Sequence, residues 1–239
     1  MNYLEFANNL VNNNQYINNL NNYKIKQLYN YMELLLDWNK KINLTAITEP
    51  KEIIIKHFID SMTINKYIEN NSNIIDIGTG AGFPGLPIKI INDNISVTLL
   101  DSLNKRIKFL DEVISNLNLE KVKTVHSRAE DAAQNKQYRQ KFDFAVSRAV
   151  APLNYLLEYM LPFVKINGKC ICMKGSNYKE ELNDAEAAIF KLGGEVEKTE
   201  KIKLPNTNIE RNIIIIKKIK NTPKEYPRKA GIPKKMPIC

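Results

Sequence analysis

Cysteine, histidine and tryptophan are scarce: three, two and one in 239 residues. Three cysteines cannot build a disulfide framework, and an odd count suits a reducing compartment. Cys170 and Cys172 stand two apart in the strand-like run KCICMK and so share a sheet face. No CxxC spacing accompanies them, and the only histidines are His57 and His126, so no metal is expected. No apolar run approaches the ~18 residues that cross a bilayer. The longest aliphatic blocks are Ile53–Ile55 and Ile213–Ile216, and no membrane partner is expected. The start MNYLEFANNLVNNNQ has neither a basic region nor a continuous apolar stretch behind it, which points to the cytosol.

Acids are also in short supply. Asp and Glu number 26 against 35 Lys and Arg, a net charge of +9, and a polyanion is the first partner to consider. Residues 217–239 carry eight basic side chains and one acid, Glu225. The remaining composition, 44% hydrophobic and 26% charged, is that of an ordinary globular protein.

The first seventy residues read as helices. In YKIKQLYNYMELLLDWNKKIN, Ile25, Leu28, Met32, Leu35 and Leu36 recur at helical spacing. The asparagines before it (Asn12–Asn14, Asn18, Asn19, Asn21, Asn22) predict a broken entry helix. A further helix is expected from Thr48-Glu49-Pro50, with Thr48 as its cap, carrying Ile53, Ile54, His57, Phe58 and Met62. From Asn73 short β-rich runs alternate with helical ones: NIIDI, SVTLLD, VKTVH, FDFAVSR and KCICMK, the last followed by the helical run YKEELNDAEAAIFKL. This alternation indicates βαβ units on a parallel sheet. GGEVEKTEKIKL and RNIIIIKKI, with only PNTNIE between them, close the chain as an antiparallel hairpin. The tail beyond Ile219 holds four prolines and is expected to be extended. The division is therefore residues 1–70, a helical extension packed on the core; 71–220, an α/β domain; and 221–239, a basic Pro-rich tail.

The sharpest local signal is NIIDIGTGAGFPG. A buried strand runs into Gly78, Gly80 and Gly82, and a helix follows, so the backbone can turn tightly and approach a ligand. The next β-rich run ends on Asp101, placed to accept hydrogen bonds from ribose hydroxyls. Gly80–Gly85 is a formal GxGxxG, which leaves open a nicotinamide-dependent oxidoreductase. The preceding Asp76, which could help place a cationic methionine end, instead favours an S-adenosylmethionine site. So do Pro84 and Pro87, which restrict the helix start where a pyrophosphate would seek N–H donors. A non-catalytic ribosome-binding factor with a vestigial cofactor fold is the third reading.

WNKKINLTAI, KHFIDSM, DIGTGAGFPGLPI, TLLDSLNKRIKFL, SRAED, VSRAVAPL and YPRKAGIPKKMPI occur in this order along nearly the whole chain. With them the sequence resembles the bacterial small-subunit ribosomal RNA methyltransferase G family, also called glucose-inhibited division protein B. The resemblance implies a Rossmann-like class I methyltransferase fold with an N-terminal helical extension. It also implies S-adenosylmethionine as cofactor and methylation of guanine N7 in a decoding-region loop of 16S rRNA, within RNA or a small-subunit particle. Gly78 and Phe83 match the family's cofactor-loop contacts, Ala129 and Glu130 the pair beside the adenine, and Arg148 the arginine after the fourth strand. Gly80 and Asp101 complete the expected cofactor set. Lys56-His57 stands where the family commonly has Arg-His, and lysine offers a phosphate a point charge in place of a two-pronged fork.

N7 of guanine carries a lone pair and no proton, so no nucleophile–base pair is sought; Arg148 is the candidate orienting residue. His57 reads as a packed, hydrogen-bonded side chain, and Trp38 as packing of the helices onto the sheet. Arg228, Lys229, Lys234 and Lys235, interleaved with Tyr226 and prolines, form a cationic strip suited to RNA phosphates. Replacing the three lysines is expected to weaken RNA binding and leave cofactor affinity unchanged. A monomer is expected.

Overall fold

The computed structural model describes residues 1–16 and 20–238. The expectations for Asn18, Asn19 and Cys239 fall outside them.

Asparagine at an extended backbone position offers a side-chain oxygen to the first free N–H groups of a helix. Asn2 caps α1 (Tyr3–Asn13) in this way, through the Glu5 N–H, and Asn21 caps α2 (Asn22–Ile42), through the Lys24 N–H. The asparagine-rich entry thus starts one helix and then a second. The next helix is capped by Glu49, whose carboxylate accepts from the Glu52 N–H at 2.8 Å, and Thr48 is not the cap. It runs as α3 (Pro50–Ile53), a wider π-helical stretch (Ile54–Ile59) and α4 (Asp60–Met62).

Seven strands follow: β1 (Asn73–Ile77), β2 (Ser96–Asp101), β3 (Val122–His126), β4 (Phe142–Arg148), β5 (Val164–Lys174), β6 (Gly194–Lys203) and β7 (Glu210–Lys218). They form one sheet in the order β3-β2-β1-β4-β5-β7-β6. The first five are parallel, and β7 runs antiparallel between β5 and β6. The alternation and the closing hairpin are as the sequence leads one to expect, except that the last strand lies inside the sheet. The four consecutive isoleucines of β7 explain this placement. Ile213 and Ile215 join one apolar cluster and Ile214 and Ile216 the other, so both faces of the strand are covered. Cys170 and Cys172 share the second cluster with Ile75 and Ile77, as their spacing requires.

The crossover helices are α5 (Gly85–Ile91), α6 (Asn104–Asn116), α7 (Ala129–Gln134) and α8 (Leu153–Met160). The run 178–192, expected as one helix, is two: α9 (Tyr178–Asp184) and α10 (Glu186–Lys191) meet at Ala185, where a three-residue hydrogen bond to Leu182 tightens the turn. The tail is not wholly extended. A short α11 (Ile232–Lys235) follows Gly231, with Pro233 in the first turn, where a missing N–H costs nothing.

One apolar cluster contains Phe6, Leu28, Tyr31, Met32 and Phe58 together with Ile74, Leu99 and Ile213. The N-terminal helices and one sheet face therefore share a core. Trp38 packs against Phe109 of α6, with centroids 5.7 Å apart.

Candidate functional site

At the carboxyl end of β1 the chain reverses over Gly78, Gly80 and Gly82, whose φ angles are +65°, +62° and +95°. A Cβ on Gly82 would lie 2.5 Å from both Tyr31 Oη and Leu86 Cδ1, so glycine lets α2 close on the loop. There Tyr31 donates to the Ala81 carbonyl and stacks on Phe83, centroids 5.4 Å apart. Asp76 lies behind this turn and lines none of the cavities described below. Its Oδ2 accepts from Thr79 Oγ1 at 2.7 Å and the Gly85 N–H at 2.9 Å, which shapes the loop. Its Oδ1 has no hydrogen-bond partner among the described residues, and burial pushes the carboxyl up to about 6. Direct placement of a methionine end by Asp76 is thus replaced by support of the turn.

Three adjoining cavities run along this edge of the sheet. The middle one, about 460 Å³, is lined by Gly78, Gly80, Phe83, Asp101, Arg106 and Arg148, among others. Asp101 Oδ2 accepts from the Gly80 N–H at 2.9 Å and from Arg106 at 3.2 Å, and its Oδ1 accepts from the Leu103 N–H at 2.9 Å. The second, about 390 Å³, shares Gly78 with it and brings Ala129 and Glu130 together with Tyr159, Gly231 and Lys234. The third, about 630 Å³, shares Arg148 and His57 with the middle cavity and adds Lys56, Lys174, Glu181 and Arg211. Val150 borders all three, and its side chain leans over Gly78, where a Cβ would meet it at 2.9 Å.

Arg148, at the end of β4, is partly buried, its side chain 12% exposed. It donates to the Lys56 carbonyl at 3.0 Å, to Asp60 Oδ2 at 3.2 Å and to His57 Nδ1 at 3.1 Å, and it lies 4.9 Å over the Phe83 ring. A guanidinium only donates, so Nδ1 of His57 is an acceptor and the proton sits on Nε2, which donates to Thr45 Oγ1 at 2.8 Å. Burial and the neighbouring Arg148 push His57 down to about 3, so the ring is neutral. It stacks on Phe83 at 4.4 Å and 17°. Asp60 also accepts from Arg211 Nε of β7 at 3.2 Å. His57 is thus packed and hydrogen-bonded, as expected, and it also borders the cleft. Lys56 pairs with Glu52.

The sequence reading missed Thr45, Asp60, Arg106, Val150 and Arg211 as neighbours of the cleft. Only Asp60 left a signal, a lone acid in the run HFIDSM, between the apolar Phe58-Ile59 and Met62. The cationic strip is divided by the structure. Lys229 and Lys235 are exposed and border none of the three cavities, and Lys234 is exposed at the edge of the second one. Arg228 is engaged with Glu158 at 2.7–3.2 Å, so its guanidinium is not presented to solvent like the lysines.

The model of the family described as rRNA small subunit methyltransferase G matches residues 24–214. The chain belongs to that family. It is 56% identical over 217 residues to the ribosomal RNA small subunit methyltransferase G of Alkaliphilus oremlandii, across 90% of this chain and 91% of that protein. To the protein of the same name in Clostridium perfringens it is 52% identical, with the same coverage. Among solved structures, a SAM dependent methyltransferase from Aquifex aeolicus superposes with a TM-score of 0.53 at 14% identity, over 73% of this chain and 96% of that one. The TYW2 of M. jannaschii, solved in complex with AdoMet, gives 0.54 at 16%, over 67% and 77%. These likenesses carry the class I methyltransferase fold. The oxidoreductase and the non-catalytic factor find no support in them.

Proposed function

We propose that this chain transfers the methyl group of S-adenosylmethionine to N7 of a guanine in the decoding-region loop of 16S rRNA, in the cytosol and as a monomer. One observation carries the reading in a chain of this family: the glycine loop, Asp101 and Arg148 converge on one cleft at the carboxyl edge of the parallel strands. The cleft fits a nucleoside cofactor, because Gly78 and Gly80 present bare backbone and Asp101 presents a carboxylate beside it. Gly78, Gly80, Phe83 and Asp101 would hold one end of the molecule, and Ala129 and Glu130 the adenine end. When bound, S-adenosylmethionine supplies an electrophilic methyl group on a good leaving group.

The chain's own residues have then to align and to exclude water. N7 needs no base, and His57 is not placed to act as one, since both nitrogens of its neutral ring are engaged. Arg148 borders both the middle and the third of these adjoining cavities, where an orienting residue for the acceptor base belongs. Residues 1–70 act as the helical extension, 71–220 as the cofactor domain and 221–239 as the basic tail. Methyl-labelled cofactor incubated with unmodified small-subunit particles and with naked 16S rRNA tests the reading. The expected product is 7-methylguanosine in 16S rRNA, and absence of transfer to either substrate and to precursor rRNA overturns it.

A further inference from the structure

The tail is bound to the body of the protein at closely spaced points. Gln134 Nε2 donates to the Pro227 carbonyl at 2.8 Å, and Arg139 donates to the carbonyls of Tyr226 at 2.7 Å and of Thr222 and Pro223 at 3.0 Å. Next along the chain, Arg228 gives Glu158 its backbone N–H at 2.7 Å and a two-nitrogen fork at 2.7–3.2 Å. Glu158 is fully buried on α8, so this fork is a fixed anchor. Three residues later the Gly231 N–H donates to Glu130 Oε1 at 3.0 Å. Gly231 and Lys234 then line the 390 Å³ cavity together with Ala129 and Glu130. Pro233 and Ile238 are buried beyond it.

We propose that residues 226–235 are a strap that builds the outer wall of the nucleoside end of the cofactor site, with Arg228, acting through Glu158, as the positioning residue that holds it. The inference rests on the methyltransferase reading. It gives the strap a function besides RNA contact, because the segment carrying the exposed lysines also closes on Glu130. Without the Arg228 fork, Gly231 and Lys234 lose the anchor that fixes their distance from Ala129, and the wall opens.

Calorimetric titration of the full chain with S-adenosylhomocysteine tests this. Arg228→Ala is expected to weaken binding about tenfold, the equivalent of roughly 1.4 kcal/mol, and Arg228→Lys to recover only part of it, since lysine has no planar fork. Lys218→Met is the control for general destabilisation. Lys218 is buried at the far end of β7, against the Leu161 carbonyl, and borders none of the three cavities. This variant should lower the thermal midpoint and leave the affinity as it was. Should Arg228→Ala fail to fold, Gly231→Ala loosens the strap at its second anchor. Its Cβ meets nothing within 4 Å, but φ is +84°, and several-fold weaker binding is expected. Unchanged affinity in a folded Arg228→Ala or Gly231→Ala overturns the proposal, as does an equal loss in Lys218→Met. A wild-type chain that binds no S-adenosylhomocysteine overturns the methyltransferase reading and the strap with it.

Discussion

Arg228 and Arg148 each face a buried carboxylate, and their surroundings differ in kind. Arg228 has Glu158 to itself, and the hydrogen-bonded fork pushes the guanidinium up, further into its charged form. Arg148 shares Asp60 with Arg211, and burial pushes it down despite that carboxylate. The first pair is a clamp whose geometry compensates its desolvation. The second is a cation kept in a costly position between the glycine loop, the N-terminal helices and β7, and in the proposed reading its charge serves the acceptor base rather than stability.

The comparison can be broken most directly at Arg148. Arg148→Ala removes the donor to His57 Nδ1 and leaves Asp60 with Arg211, so the acceptor side of the cleft loses its orientation. Methyl transfer should fall on the order of 100-fold, and Arg148→Lys should not restore it. Unfolding in urea should change far less than activity does. Stability falling in step with transfer would make the two arginines alike and remove the distinction. Glu158→Ala is the converse case. It leaves Arg228 without its partner, and because a quarter of that side chain is exposed, water limits the loss to about 2 kcal/mol in urea unfolding.

The parts of this architecture legible in sequence were those written in consecutive residues. The glycine loop, Asp101, the five β–α alternations and the hairpin each announce themselves within a dozen positions. The cluster around Arg148 does not. It joins Thr45, His57 and Asp60 to residues some ninety positions later in β4 and to Arg211 in β7, and only the closed sheet and the shared N-terminal core bring them together. The tail misled for a related reason. Its composition shows a cationic strip, but Glu158, which engages Arg228, sits in the apolar helix LNYLLEYM, where a single acid reads as surface.

Asp76 sharpens the contrast as a third buried carboxylate, one with no arginine in hydrogen-bond reach. Raised from 3.8 to about 6, it binds more protons folded than unfolded between those values, so its contribution to stability is complete below 3.8 and is lost as pH rises through about 6. His57 acts in the opposite sense. With its pKa lowered from 6.5 to about 3, its contribution is present above 6.5 and is lost as pH falls toward 3. The two offset each other between about pH 4 and 6. Asp76→Asn removes only the first, so its stability should drop more steeply than the wild type's from pH 6 to 4, by on the order of 2 kcal/mol. Parallel curves would show that Asp76 titrates alike in the folded and unfolded chains.

The smallest expected effect separates the tail's two kinds of cation. Lys229 and Lys235 are exposed and border none of the three cavities, whereas Lys234 stands at the rim of the cavity that Glu130 shares. Removing one cation from the phosphate backbone lowers the salt slope of RNA affinity by about 0.7–0.9. Lys229→Ala with Lys235→Ala should therefore flatten the slope for 16S rRNA by up to about 1.8 and leave S-adenosylhomocysteine affinity unchanged. Lys234→Ala should flatten the slope and also move that affinity, contrary to what composition alone suggests for a uniform basic strip. Equal behaviour of all three lysines in both titrations would return the tail to a plain electrostatic role. A cofactor response confined to Lys234 would place the boundary between RNA surface and cofactor wall within the seven residues from Lys229 to Lys235.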